Sequence, residues 1–286
     1  MTTQDPPKDT TSSTDTPGTP ARKAAQKDVD VDTVLRKQAA AIRQLQERLL
    51  SVQTMFLRFS DTGNVDTGDP MAELSPVEIL RTPGADITVV ACAGLLTHFG
   101  MPNKEFFRSF VDRGCNVVFL KDFRQCWYQR GLLSLSTNLS ETVEVVQGLL
   151  PKGTRSVRTI GTSAGAFAAL HLGIRMNADR VLAFAPQTRV LPGVFDRYAS
   201  FDSRRHDIDF SSPDIDVRNS FAMNPDFAGR IDIHFGAKAL PDVRQARAIE
   251  GYPQVHLHGH DFDKHGIAQH LRETGELDAV LGDFVS

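Results

Sequence analysis

Six short apolar runs, near residues 87–93, 116–120, 156–160, 180–185, 231–235 and 254–257, limit most strongly what this chain can fold into. Helical stretches lie between several of them. One carries Phe106, Phe107, Phe110 and Val111 on a single face after a possible cap at Asn103, one spans 138–150, and one follows Gly165. Buried strand, helix, buried strand is the pattern of a parallel sheet covered on both faces. The expected fold class is therefore α/β, with a mostly parallel, doubly wound sheet over about 72–286. Such sheets bind ligands at the carboxyl ends of their strands.

The segment before the sheet reads differently. Residues 1–30 are Thr, Ser, Pro, Asp and Lys with almost nothing to bury, so a disordered tail is expected. In 31–58, Leu35, Ile42, Leu49 and Phe56 recur every seven residues, with Leu45 and Val52 between them and Gln38 as a polar break. That seam fits either a homo-oligomer joined through residues 33–56 or an amphipathic helix packed on its own domain. A polar linker, 59–71, follows.

Composition excludes several partners. The net charge of −3 gives no basic field to draw the protein to nucleic acid. The longest apolar run, 87–96, is about half of the roughly 20 residues a membrane span needs. Cys92, Cys115 and Cys126 match neither a disulfide framework nor a zinc site, and free thiols suit a reducing, cytoplasmic setting. The first residues are polar and lack the charged-then-apolar order of a signal peptide, so none is expected among them.

The stretch RTIGTSAGAFAALHL, residues 158–172, carries the chemistry. Gly-x-Ser-x-Gly alone arises by chance in roughly one chain in ten of this length. Here SVRTI supplies a strand and AFAALHLGI supplies a helix that starts at Ser163 itself. A serine on so sharp a turn exposes its hydroxyl beside the free N–H groups of a helix N-terminus. The alternative is a glycine-rich crossover with an inert serine. A dinucleotide loop would need Gly-x-Gly-x-x-Gly and a later acid, which are absent. Patatin-like lipases have a similar turn, but they also need an Asp-Gly motif, and this chain has no Asp-Gly dipeptide.

On these residues the chain resembles the α/β-hydrolase superfamily over about 85–285. The resemblance implies a nucleophile at Ser163 and a histidine between the last strand and the final helix. His265 is the first choice and His260 the second; His256 and His258 alternate along the strand, so one or both are packing residues, and His270 falls on a solvated helix face. It also implies an acid after the strand RIDIHFG, where Asp242 is the carboxylate available, several residues later than the commonest spacing. The alternative is an Asp242 that caps the helix following Pro241. The implied oxyanion donors are the amides of Ala164 and Leu95, the latter in an Ala93-Gly94 turn where many relatives carry His-Gly. Arg124, Trp127 and Tyr128 in FLKDFRQCWYQRG either line the substrate pocket or anchor a long loop. Residues 192–228 sit where this fold often inserts a cap. No Cys or Glu completes a metal spacing among the late histidines, so neither metal nor other cofactor is expected.

The function implied is hydrolysis of a carboxylic ester or thioester through an acyl-enzyme, on a small-molecule, glycan or lipid acyl substrate. Two alternatives are an acyltransferase of the same fold and a non-catalytic assembly protein working through its heptad helix.

Overall fold

The computed structural model describes residues 75–95, 99, 103–192 and 208–286, together with five single positions: Leu35, Gln38, Ala39, Ile42 and Leu45. The expected tail over 1–30, the linker over 59–71, the rest of the heptad segment 31–58 and positions 193–207 of the cap lie outside the described residues. Chain contacts divide the protein into Met1–Gln46 and Glu47–Ser286. In the first unit the five described positions are helical, and Leu35, Ile42 and Leu45 are 55%, 54% and 63% exposed.

The second unit is built on a seven-stranded sheet. Its strands are β1 (Val77–Leu80), β2 (Ile87–Cys92), β3 (Asn116–Leu120), β4 (Ser156–Thr162), β5 (Arg180–Phe184), β6 (Arg230–Gly236) and β7 (Val255–His260). The order is β1-β3-β2-β4-β5-β6-β7, with β1 antiparallel to β3 and all other pairs parallel. Six strands coincide with the six apolar runs. β1 does not: VEIL is only four residues long, holds an acid, and sits at the sheet edge, where one neighbour suffices.

Two-residue alternation sorts the central strands onto two faces. Val89, Ala91, Val117 and Phe119 point to one face, which is covered by α1 (Asn103–Val111), α6 (Ile267–Thr274) and α7 (Leu277–Val285). Val90, Cys92, Val118 and Leu120 point to the other, against α2 (Leu139–Leu149) and α3 (Ala164–Arg175). α2 starts where the sequence places it, because Asn138 accepts the Glu141 N–H at 2.9 Å. α3 is buried at every position from Ala164 to Ile174. Its alanines and glycines let it lie close on the sheet, and α4 (Arg218–Met223) covers its outer side through Ser220, 2.6 Å from His171 Nδ1.

Burial also sets the acid response. His234 on β6 is stacked on His258, with ring centroids 4.5 Å apart, and lies 3.0 Å from His260. Burial, with the charges that His258 and His260 would carry, pushes its pKa down to about 3. Burial likewise holds His171 well below the usual histidine range, with Arg175 adding to it. Burial raises the Asp232 carboxyl, but hydrogen bonds from Arg230, His258 and Arg180 outweigh it and hold the group well below the usual carboxylate range. All three shifts are downward, so the unfolded chain binds the extra protons. The His234 contribution is complete above about pH 6.5 and fades as pH falls toward about 3, and that of His171 also fades as pH falls below the usual histidine range; that of Asp232 fades below about pH 4. We expect the urea midpoint to fall steadily from about pH 7 to pH 4. His234→Gln should remove roughly 1.4 kcal/mol per pH unit of that slope. A midpoint constant over this range would contradict the assignment.

Candidate active site

Ser163 joins β4 to α3 with φ 53° and ψ −119°, a conformation that costs a non-glycine residue about 1–3 kcal/mol. Its N–H donates to Phe184 O at 2.9 Å and its carbonyl accepts the Phe167 N–H at 3.2 Å. Small neighbours make the turn possible. A Cβ on Gly161 would lie 2.2 Å from Gly165 O, and one on Gly165 would lie 2.1 Å from Cys92 O. The start of α3 therefore abuts the end of β2, just before Leu95. Ala164 is the first helical residue, so its N–H has no intrahelical acceptor. Leu95 packs against the apolar cluster that also contains Ala164 and Trp127.

Two side chains from later in the chain meet this serine. His265, between β7 and α6, places Nε2 at 2.8 Å from Ser163 Oγ. Its Nδ1 lies 2.9 Å and 3.1 Å from the two carboxylate oxygens of Asp242. An ionised carboxylate only accepts, so Nδ1 carries the proton and Nε2 is left to accept the one on Ser163. Asp242 sits in the first turn of α5 (Leu240–Arg247) and is 4% exposed. Its side chain does not cap that helix, whose N-cap is Ala239. The late position along the chain is explained by the path. After Gly236 the backbone turns, with Ala239 N–H donating to Gly236 O at 3.0 Å, and α5 starts directly beyond.

The other late histidines go elsewhere. His260 pairs with His234, His258 donates to Asp232 at 2.8 Å, and His256 is exposed. His270 is only half-buried and stacks on Phe262, with ring centroids 4.2 Å apart. Among the described residues, no group of three or more His, Cys, Asp or Glu is placed to hold a metal ion. Among them, too, no helix is long and apolar enough to cross a membrane.

No protein-family model matches the sequence, and no curated protein does. Solved structures do match. A protein of unknown function from Staphylococcus aureus is 12% identical with a TM-score of 0.51, over 73% of this chain and 93% of that one. A structure from a study of carboxylesterases of Nitrososphaera gargenis is 10% identical with a TM-score of 0.50, over 73% and 94%. An esterase of Pyrococcus furiosus is 16% identical with a TM-score of 0.48, over 78% and 96%. The chain has the α/β-hydrolase fold.

Ser163 and Leu95 follow β4 and β2, the adjacent strands from which this α/β-hydrolase sheet grows in opposite directions. That switch point is where open α/β sheets bind ligands. The loop after β3 reaches it from one side. Asp122, 3% exposed, accepts four backbone N–H groups there, from Arg124, Gln125, Cys126 and Tyr128, at 2.7–3.0 Å. Burial pushes its carboxyl pKa up, and the four amide donors oppose that rise. Gln125, Trp127 and Tyr128 take φ values of 54°, 58° and 59°, left-handed conformations that non-glycine residues avoid. The carboxylate thus holds the loop in a shape its sequence does not favour.

This shape turns the aromatic side chains inward. Tyr128 OH lies 2.9 Å from both Ala93 O and Leu120 O, tying the ends of β2 and β3 together beside Leu95. Trp127 Nε1–H donates to Gln187 Oε1 at 3.1 Å, and that oxygen is 3.4 Å from Ser163 Oγ. Arg124 is exposed, and its guanidinium donates to Arg130 O at 3.1 Å. Sequence reading passed over Gln187 and the part played by Asp122. The only signal for Gln187 was a polar side chain directly after a buried strand, in LAFAPQT.

The described end of the segment expected as a cap, 208–228, holds a 3-10 turn at Pro213–Ile215 and then α4. It is tied to the loop after β5 by Val190 N–H to Ile215 O, 2.8 Å, and Val217 N–H to Thr188 O, 2.9 Å.

Proposed function

We propose that this protein is a serine hydrolase that cleaves a carboxylic ester or thioester through an acyl-enzyme. The observation that carries the reading is the unbroken hydrogen-bonded line from Asp242 through His265 to Ser163, at the carboxyl ends of the strands. Ser163 attacks the acyl carbon, and His265 takes its proton and then gives it to the departing alcohol or thiol. Asp242 keeps the imidazole in the required tautomer and stabilises the imidazolium. The amides of Ala164 and Leu95 receive the oxyanion, with the N-terminal end of α3 adding its field. Water then enters, and His265 acts as base a second time. Trp127 and Tyr128 hold the walls of the site in place. The test is labelling of Ser163 by a fluorophosphonate probe, with hydrolysis of simple esters beside it. Turnover that depends on an added alcohol, with little loss to water, would make the protein an acyltransferase through the same acyl-enzyme.

The substrate is then a small molecule, glycan or lipid that carries an acyl group. The three cysteines are buried and in no disulfide, which supports a reducing, cytoplasmic setting. Self-association through residues 33–56 belongs to the same proposal. Leu35, Ile42 and Leu45 are helical, lie along the seam and are more than half exposed. Burying what remains exposed of each against a second copy would contribute about 1–2 kcal/mol. Light scattering should give an oligomer for the full chain and a monomer for Ile42→Glu; a monomeric full chain ends the idea.

A further inference from the structure

We propose that Gln187 selects the substrate, favouring an ester with a hydrogen-bond donor, O–H or N–H, beside the scissile carbonyl. This rests on Ser163 being the nucleophile. Gln187 is 6% exposed, and its Oε1 lies 3.4 Å from Ser163 Oγ. The amide cannot be turned the other way. The Trp127 indole has only a hydrogen to give and sits 3.1 Å from that same atom, so the oxygen, and not the NH₂, faces the serine.

The backbone that carries Gln187 is fixed as well. Ala185 turns the chain off β5 with φ 44°, and its N–H donates to His234 O at 2.8 Å. On the far side, Gln245 Oε1 accepts the N–H groups of Thr188 and Arg189, both at 2.9 Å, while its Nε2 donates to Arg189 O at 3.0 Å. A polar group held from both sides recognises by position rather than by adapting.

A carbonyl oxygen accepts two hydrogen bonds. Trp127 supplies one. The Ser163 hydroxyl, 2.8 Å from His265, is committed to the imidazole, so the second lone pair of Gln187 faces the reacting group. That lone pair repels an oxyanion, which therefore belongs on the side of the Ala164 and Leu95 amides. What remains beside Gln187 is the α-substituent of the acyl group or the carbon next to the ester oxygen of the alcohol. A hydroxyl or N–H there completes the pair. A methyl group buries the lone pair without a partner, and sites of this kind reject such analogues.

The experiment compares each hydroxylated ester with its methyl ether, which has similar electronics but no donor. Ethyl glycolate against ethyl methoxyacetate places the donor on the acyl side; 2-hydroxyethyl acetate against 2-methoxyethyl acetate places it on the alcohol side. We expect the hydroxyl form to lead by about tenfold in kcat/KM in one of the two pairs, which names the side. Gln187→Met should bring that ratio close to one. Trp127→Phe, which keeps Gln187 but frees its amide to rotate, should lower the ratio too, and it keeps the test open if the methionine variant does not fold. Ratios near one in wild-type protein whose Ser163 is labelled and active overturn the role of Gln187 alone, as does a preference that survives both variants. No labelling and no turnover overturn the hydrolase reading along with it.

Discussion

Ser163→Ala should abolish fluorophosphonate labelling and lower ester turnover by roughly 10⁴–10⁶-fold. The size follows from the arrangement. Ser163 Oγ is 2.8 Å from an imidazole whose far nitrogen is held by Asp242, so the hydroxyl, the base and its orienting carboxylate act as a unit. Removing any member of a unit removes most of what the unit does. His265→Ala should therefore cost nearly as much as Ser163→Ala, and the double variant scarcely more than either. Asp242→Asn keeps the shape but can put an NH₂ where an acceptor is needed, so a loss on the order of 10²–10⁴ is expected. The fold should survive each change, because these side chains meet at the loop ends and not in the apolar clusters. Folded wild-type protein that resists the probe would refute the assignment. The heptad helix would then be the functional part, as in an assembly protein.

The parts of this architecture differ in how far the sequence reveals them, and the difference is physical. β2 through β7 show as apolar runs because burial makes each a local pattern that any window detects. β1 is buried too, but it is only four residues long and its apolar run is broken by Glu78, which is buried in an ion pair with Lys121. Ser163 is legible because its turn demands Gly161 and Gly165, which leave a mark in the sequence. His265 and Asp242 are legible only through the chain order that the resemblance implies. For Asp242 the path after Gly236 cannot be read from the sequence, so a helix cap stays open beside the role of imidazole partner. Gln187 and Asp122 leave almost no mark. Gln187 depends on a contact across the fold, with Trp127 sixty positions away. The partners of Asp122 are local, amides two to six positions on, but reaching them takes left-handed backbone that no glycine announces.

Asp122→Ala is expected to destabilise the protein by about 3–5 kcal/mol and to lower kcat/KM sharply, although Asp122 touches no reacting atom. Its carboxylate satisfies four backbone N–H groups, those of Cys126 and Tyr128 buried, and holds three non-glycine residues at positive φ. Without it those amides lose their acceptor and the strain at Gln125, Trp127 and Tyr128, about 1–3 kcal/mol each, has nothing to oppose it. The loop should relax. Trp127 would then leave Gln187, and Tyr128 would release the Ala93 carbonyl beside the Leu95 amide. Asp122→Asn is the sharper probe. It keeps the size but offers one acceptor oxygen in place of two and turns an NH₂ toward the remaining donors. A loop that needed only volume would tolerate asparagine; one organised by a carboxylate would not. We therefore expect asparagine to cost nearly as much as alanine in urea denaturation. In both variants Ser163 should still be labelled, more slowly, because the serine, histidine and Asp242 are held by other elements. A change below about 1 kcal/mol with unaltered kinetics would mean that the loop's shape is set elsewhere.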